Sequence, residues 1–291
     1  MTVTETTTRT LNVPGATLGY DVRPGTATDE RPLFLVGLPM AAPGFASLAG
    51  HFTDRTVITY DPRGSERSTK DEPTSPVTPD VHADDLHRII QEVGGPVDVF
   101  GSSGGAITSL ALVAVHPEDV RTLVAHEPPL ASILPDRDNA MAVTRAVGET
   151  YRRSGFGAGM AHFIAAVSHK GEFPDGFADQ PRPDPAMFGM PAEDDGSRTD
   201  ALLGSNNMID TTHYEPDFDA LRTASTRIVI AAGEDSDGEM AERGAVAAAD
   251  RLGTEAVRFP GDHGGFFGGE YGQVGKPDEF AAKLRQVLEQ G

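Results

Sequence analysis

The sequence predicts an α/β fold, a mostly parallel central sheet flanked by helices, with one helical insertion. Three observations carry that expectation. Short apolar runs of strand length recur at 33–36, 56–60, 97–100, 121–125, 227–232 and 256–259. Segments of helical period separate them, the pattern of β-α-β units covered on both faces. The rhythm breaks once, between the strand ending near His126 and residue 215.

Each element follows from local chemistry. Residues 11–13 and 17–22 read as an opening hairpin turned by Pro14-Gly15. Strand 33–36 stops at Gly37, a short helix over 45–52 follows, and strand 56–60 ends at Asp61-Pro62-Arg63-Gly64. Thr78 is an N-cap with Pro79 at the first helical position, and the helix it opens is expected to bury Val81, Leu86, Ile89, Ile90 and Val93 before Gly94-Gly95 stops it. After strand 97–100 an apolar helix covers 106–115. Strand 121–125 is ended by Glu127-Pro128-Pro129, because a residue before proline is pushed out of the helical region. Within the insertion, helices are expected over 137–153 and 160–168, and 172–200 is dense in Pro, Gly and Asp. Beyond it come strand 227–232, a helix over 238–252, strand 256–259, and a closing helix from Pro277 with Phe280, Leu284, Val287 and Leu288 on one face. The expected organisation is a core of 1–130 and 215–291 with a cap over 131–214.

Composition narrows the function class. The 291 residues carry a formal net charge of −20, which duplex DNA and an anionic bilayer would repel, so neither is an expected partner. There is no cysteine, hence no disulfide framework and no thiolate metal site. Residues 1–10 lack the basic stretch and apolar core of a signal peptide, and no run approaches the length of a membrane span. A cytoplasmic enzyme acting on a small molecule is expected; the sequence leaves its oligomeric state open.

Strand 97–100 runs into Gly101-Ser102-Ser103-Gly104-Gly105, a Gly-x-Ser-x-Gly turn from strand to helix. A serine on so sharp a turn needs small residues two before and two after it. That selects Ser103 as nucleophile, since Ser102 would have Phe100 in that place. The helix N-terminus beyond it favours developing negative charge. A serine hydroxyl needs a base held by a third group. His263, in Gly261-Asp262-His263-Gly264-Gly265 after the last strand, is the expected base. Three carboxylates compete to orient it. Asp235, after strand 227–232, gives the order serine, acid, histidine and is the first choice. Glu127 ends the strand after the elbow helix, and Asp237 either serves or caps the next helix. For the oxyanion hole the backbone N–H groups of Gly104 and Leu38 are expected, with Met40 next, since Pro39 has none. His116 reads as a helix-end residue. His82 and His87 beside Asp84 and Asp85 look like metal ligands, but five residues on a helix turn the rings about 140° apart, and no metal is expected.

On these residues the chain resembles the α/β-hydrolase superfamily, in its cap-bearing serine hydrolase branch, over nearly all of 9–130 and 215–290. Asp61-Pro62-Arg63-Gly64-Ser65 with Arg67-Ser68 resembles that superfamily's Asp-x-Arg-Gly-x-Gly-x-Ser turn, a structural feature. Two positions depart from the pattern. Val36-Gly37 replaces the usual His-Gly before the oxyanion turn, and the usual acid lies three residues after the glycine matched by Gly233, whereas Asp235 lies two after it. Glu127 falls where haloalkane dehalogenases carry their acid. Those enzymes and epoxide hydrolases use an aspartate nucleophile, so Ser103 points away from both reactions. The resemblance implies cleavage of an ester or lactone of a small, apolar molecule through an acyl-enzyme on Ser103, without a cofactor. Carbon–carbon bond hydrolases and cyclases reuse the same three side chains, and some scaffolds of this kind bind small molecules without turnover. Met141, Met160, Met187, Met190 and Met208, with five phenylalanines of the insertion, either line an adaptable pocket over Ser103 or pack the cap on the core.

Overall fold

The computed structural model describes residues 5–27 and 29–290; the signal-peptide reading rests partly on residues 1–4, which lie outside them. Strands β1 (Thr7–Val13) and β2 (Ala16–Arg23) form the opening hairpin, with Val13 opposite Ala16 and Gly15 at φ +76°, a left-handed turn position that glycine takes without strain. The remaining strands are β3 (Leu33–Val36), β4 (Val57–Tyr60), the short β5 (Thr69–Lys70), β6 (Val97–Ser102), β7 (Val120–His126), β8 (Arg227–Gly233) and β9 (Val257–Phe259). Their spatial order is β1-β2-β4-β3-β6-β7-β8-β9, with β5 against β2, and every pairing from β4 to β9 is parallel.

Helices α1 (Ala46–Gly50), α2 (Pro79–Val93), α3 (Gly104–Val115), α7 (Met240–Leu252) and α8 (Pro277–Glu289) belong to the core, while α4 (Arg137–Val167), α5 (Asn207–Thr212) and α6 (Phe218–Thr223) lie between β7 and β8. Strand β3 shows why its sequence is apolar throughout. Leu33 and Leu35 belong to the apolar cluster that holds Phe280 and Leu284 of α8, and Phe34 and Val36 to the one that holds Leu86 of α2 and Ile107 of α3. A parallel strand covered on both faces has no solvent side on which to place polar residues.

In α2 the Thr78 hydroxyl accepts from the Val81 amide, and Gly94 at φ +86° ends the helix. The expected buried face is corrected at one end. Val81 is exposed and Val93 half-buried, while His82 and Asp85 point inward with Leu86, Ile89 and Ile90. Val81 lies about 140° around the helix from Leu86, and Asp85 tolerates the interior because Arg63 grips both its oxygens at 2.5 and 2.6 Å. The two helices expected in the insertion meet end to end as α4, broken at Gly155 (φ +80°, ψ −172°). Helices α5 and α6, of six residues each, are too short to show a period in the sequence. Val143, Val147, Tyr151, Phe173 and Met208 gather into a third apolar cluster that reaches Met240 of α7. No helix among the described residues is long and apolar enough to cross a membrane.

From β3 the chain passes to β4 on one side and then to β6 on the other. That reversal opens a crevice at the carboxyl ends of β3 and β6, where ligands bind in sheets of this kind.

Candidate active site

Ser103 is the first residue beyond β6, with φ 58° and ψ −126°, a sparsely populated conformation costing about 1–3 kcal/mol. The flanking glycines make it attainable. A Cβ on Gly105 would stand 2.2 Å from the Val36 carbonyl oxygen, and one on Gly101 would stand 2.7 Å from Ser109 Oγ and 2.8 Å from the Gly105 carbonyl oxygen. The Ser103 amide donates to the His126 carbonyl at 2.9 Å, which ties the elbow to the end of β7. Ser102 is buried, with its hydroxyl 3.3 Å from His126 Nδ1.

Glu127 follows β7 with φ 48°, a second strained residue, and its amide donates to Ala231 at 2.9 Å, continuing the contact with β8. Its side chain is fully buried. Oε1 accepts from the Gly233 amide at 2.8 Å, and Oε2 lies 2.6 Å from His263 Nδ1. Burial alone would raise this carboxyl. The hydrogen bond from His263, the charges of His126 and His263, and the Gly233 amide outweigh burial and bring it down to about 2.

His263 is held by a turn in which Gly261 takes φ +89° and Asp262 Oδ1 accepts from the Gly264 amide. Its side chain is 40% exposed, and this decides its access to a ligand. With Glu127 ionised, Nδ1 carries a proton and Nε2 keeps its lone pair. Burial disfavours the protonated ring, but Glu127, then Glu239 and Asp262, outweigh it and raise the imidazole above its ordinary value. Behind it His126 is buried among Phe100, Phe259, Phe266 and Phe280, and burial pushes it down to about 4.

The first choice of acid is not met by the geometry. Asp235 turns outward, its side chain 56% exposed, and binds Lys276 Nζ at 2.6 Å. Its amide donates to the Gly261 carbonyl at 3.0 Å, so its contact with the His263 turn is through the backbone. Asp237 is exposed in the next turn and does not cap α7, whose N-cap is Glu239. The position three after Gly233 is Ser236, fully buried, its hydroxyl without a partner among the described residues.

Leu38 and Gly104 are in direct contact. A Cβ on Gly104 would stand 2.7 Å from the Leu38 carbonyl oxygen, so glycine lets the turn after β3 close on the start of α3. Both line a cavity of about 540 Å³ together with Ser103 and His263. A second cavity of about 550 Å³ adjoins the same two residues on the side of Glu66, Phe267 and Tyr271. Of the five insertion methionines, Met208 lines the first cavity and Met160 the second, whereas Met187 is 79% exposed. The polar cavity residues Thr144, Asn207, Thr211, Thr212, Glu239 and Gln273 carry no signal in the sequence, since none sits in a motif.

The Asp61 turn acts as a strut, its carboxylate accepting from the Ala42 amide at 3.1 Å and from Arg67 Nε at 2.6 Å. At the opposite end of the sheet, His87 meets His116 and Asp119 rather than His82. The rings stack with centroids 3.8 Å apart, and His87 Nδ1 lies 2.6 Å from Asp119. These partners come from three elements, a juxtaposition that spacing along one helix cannot reveal.

A family model described as the alpha/beta hydrolase fold matches residues 33–235. The chain belongs to that family. It is 31% identical over 299 residues to the uncharacterized hydrolase YraK of Bacillus subtilis, covering 96% of this chain and 95% of that protein. Among solved structures it is similar to a thermophilic esterase from Thermogutta terrifontis (TM-score 0.65, 20% identity, 98% of each chain). It is also similar to the enol-lactonase from Burkholderia xenovorans LB400 (TM-score 0.65, 16% identity, 97% of this chain and 100% of that one). At such identities the structural matches speak for the fold.

Proposed function

We propose that this α/β hydrolase is a serine hydrolase that cleaves an ester or lactone of a small, largely apolar molecule, with 131–214 as its cap. One observation carries the reading. Ser103 in its strained elbow and His263, held at Nδ1 by the buried Glu127, open into the same cavity. Ser103 Oγ attacks the carbonyl carbon while His263 Nε2 takes its proton, and Glu127 stabilises the imidazolium that forms. The amides of Leu38 and Gly104 receive the oxyanion. The imidazolium returns its proton to the leaving alcohol, and water repeats the sequence on the acyl-enzyme. Apolar side chains such as Val147, Phe163, Phe173 and Met208 suit an apolar acyl or ring portion.

Labelling with a fluorophosphonate tests the reading. Wild type should be modified and Ser103→Ala should not; a folded wild type that stays unlabelled refutes it. A panel of p-nitrophenyl esters, lactones and β-diketones then assigns the bond cleaved.

A further inference from the structure

The cavity over Ser103 contains one carboxylate, that of Glu239. Its backbone is pinned from two sides. The residue is the N-cap of α7, its amide donating to the Ser236 carbonyl at 3.0 Å, and it bridges to Lys170 of the insertion. Among the described residues this half-buried side chain has neither a hydrogen bond nor an ion pair, whereas the buried carboxylates of Asp61, Asp85, Asp98, Asp119, Glu127 and Glu242 each have a partner. The surrounding wall is mainly apolar, with Val143, Val147, Phe173 and Met240 among its members. An ionised group facing such a wall is costly unless something donates to it.

We propose that Glu239 recognises the substrate: the portion of substrate held under the insertion carries a hydrogen-bond donor, a hydroxyl or a protonated amine, that meets this carboxylate. The proposal rests on the hydrolase reading above and names the substrate class within it. The electrostatics agree. Burial, Glu127 and Asp262 raise the Glu239 carboxyl, while Lys170 and His263 lower it, so an additional donor at this point is favoured by the net field of the site. A hydrogen bond to a charged group is among the stronger ones, enough for about tenfold or more in selectivity.

The test uses p-nitrophenyl esters of straight-chain acids ending in methyl, hydroxyl or ammonium, in a series of chain lengths. With wild type, one donor-ended series should exceed its methyl-ended partners in kcat/KM by about tenfold at its best length. Glu239→Leu should bring that ratio near one. Glu239→Gln separates the two sources of donor, since an amide oxygen still accepts from a hydroxyl but no longer offers charge to an ammonium. Wild-type ratios at or below one in both donor series overturn the proposal without need of a variant. So does an equal change in all three series in Glu239→Leu, which would mean that Glu239 acts only through His263. Turnover without donor preference defeats this proposal alone, whereas absence of turnover with every ester defeats the hydrolase reading and this proposal with it.

Discussion

Replacing Glu127 by Gln exchanges one carboxylate oxygen for an NH₂ group and should cost most of the activity. The carboxylate accepts from two donors at once, the Gly233 amide at Oε1 and His263 at Oε2, in a site closed to solvent. Gln has one oxygen for the two. If it serves Gly233, its NH₂ faces His263 Nδ1, which must then accept, and the proton moves to Nε2, where a general base needs a lone pair. If it serves His263, the buried Gly233 amide is left unpaired at a cost of about 1–3 kcal/mol. Either way the charge that stabilises the imidazolium is gone. A loss of about 10³–10⁴-fold in kcat follows, with KM little changed. Asp235→Asn, measured beside it, removes one exposed ion pair worth about 0–1 kcal/mol and should leave kcat within about twofold. Steady-state hydrolysis of a p-nitrophenyl ester by both variants, each checked for fold by circular dichroism, decides the matter. Glu127→Gln retaining a tenth or more of wild-type kcat, or Asp235→Asn falling as far, would refute the reasoning.

Three further outcomes are expected. Placing the acid back on the β8 loop, as Ser236→Asp in the Glu127→Gln background, should recover about tenfold over Glu127→Gln alone if the buried Ser236 site can reach His263; no recovery in a folded double variant would place that hydroxyl out of reach. Gly105→Ala forces a Cβ to 2.2 Å from the Val36 carbonyl and should lower stability in urea by about 3 kcal/mol or more, whereas Gly94→Ala, with open space around it, should show only the milder strain of its positive φ. The pH dependence of stability has two acid-side components. Glu127, lowered in the folded state to about 2, stabilises fully above the ordinary carboxylate range and loses that contribution as pH falls towards 2; His126, lowered to about 4, stays neutral when folded and destabilises increasingly below its ordinary range, down to about 4. His263, raised when folded, works the other way, its contribution vanishing as pH climbs through its folded value. Urea midpoints from pH 6 to 3 should therefore fall on acidification in wild type, and less steeply in Glu127→Gln, whereas on the neutral-to-alkaline side His263 works against that fall.

Much of the fold was legible because the parallel strands are short runs rich in apolar residues closed by Gly or Pro, whereas β5 is only Thr69-Lys70 and carries no such signal, and the elbow was legible because steric demands fix residue types at neighbouring positions. Ser103 and His263 rest on such local requirements, and both open on the expected cavity. The acid was harder. Asp235 and Glu127 each end a strand beside the other, and one-dimensional order cannot say which way a side chain turns. The decisive partners, Lys276 for Asp235 and Gly233 for Glu127, lie far along the chain. The same limit hid the inward turn of His82 and Asp85, since Arg63, which makes Asp85 tolerable, belongs to another loop. Glu239 left no signal because nothing adjacent to it distinguishes a helix cap from a ligand contact.

One backbone bond ties the Ser103 amide to the His126 carbonyl, and the next residue is Glu127. In the proposed mechanism nucleophile and acid are thus anchored to consecutive positions of a single strand end, their separation fixed by sheet geometry and not by a loop. In that mechanism the β8–α7 loop supplies no acid, and its backbone supports the His263 turn through the Asp235 amide and the Gly261 carbonyl. Substitution at Glu239, which lines the cavity, can then alter what the cavity accepts while the proposed reacting groups stay in register. Such a division of labour would let close relatives diverge in substrate through that loop and keep one chemistry.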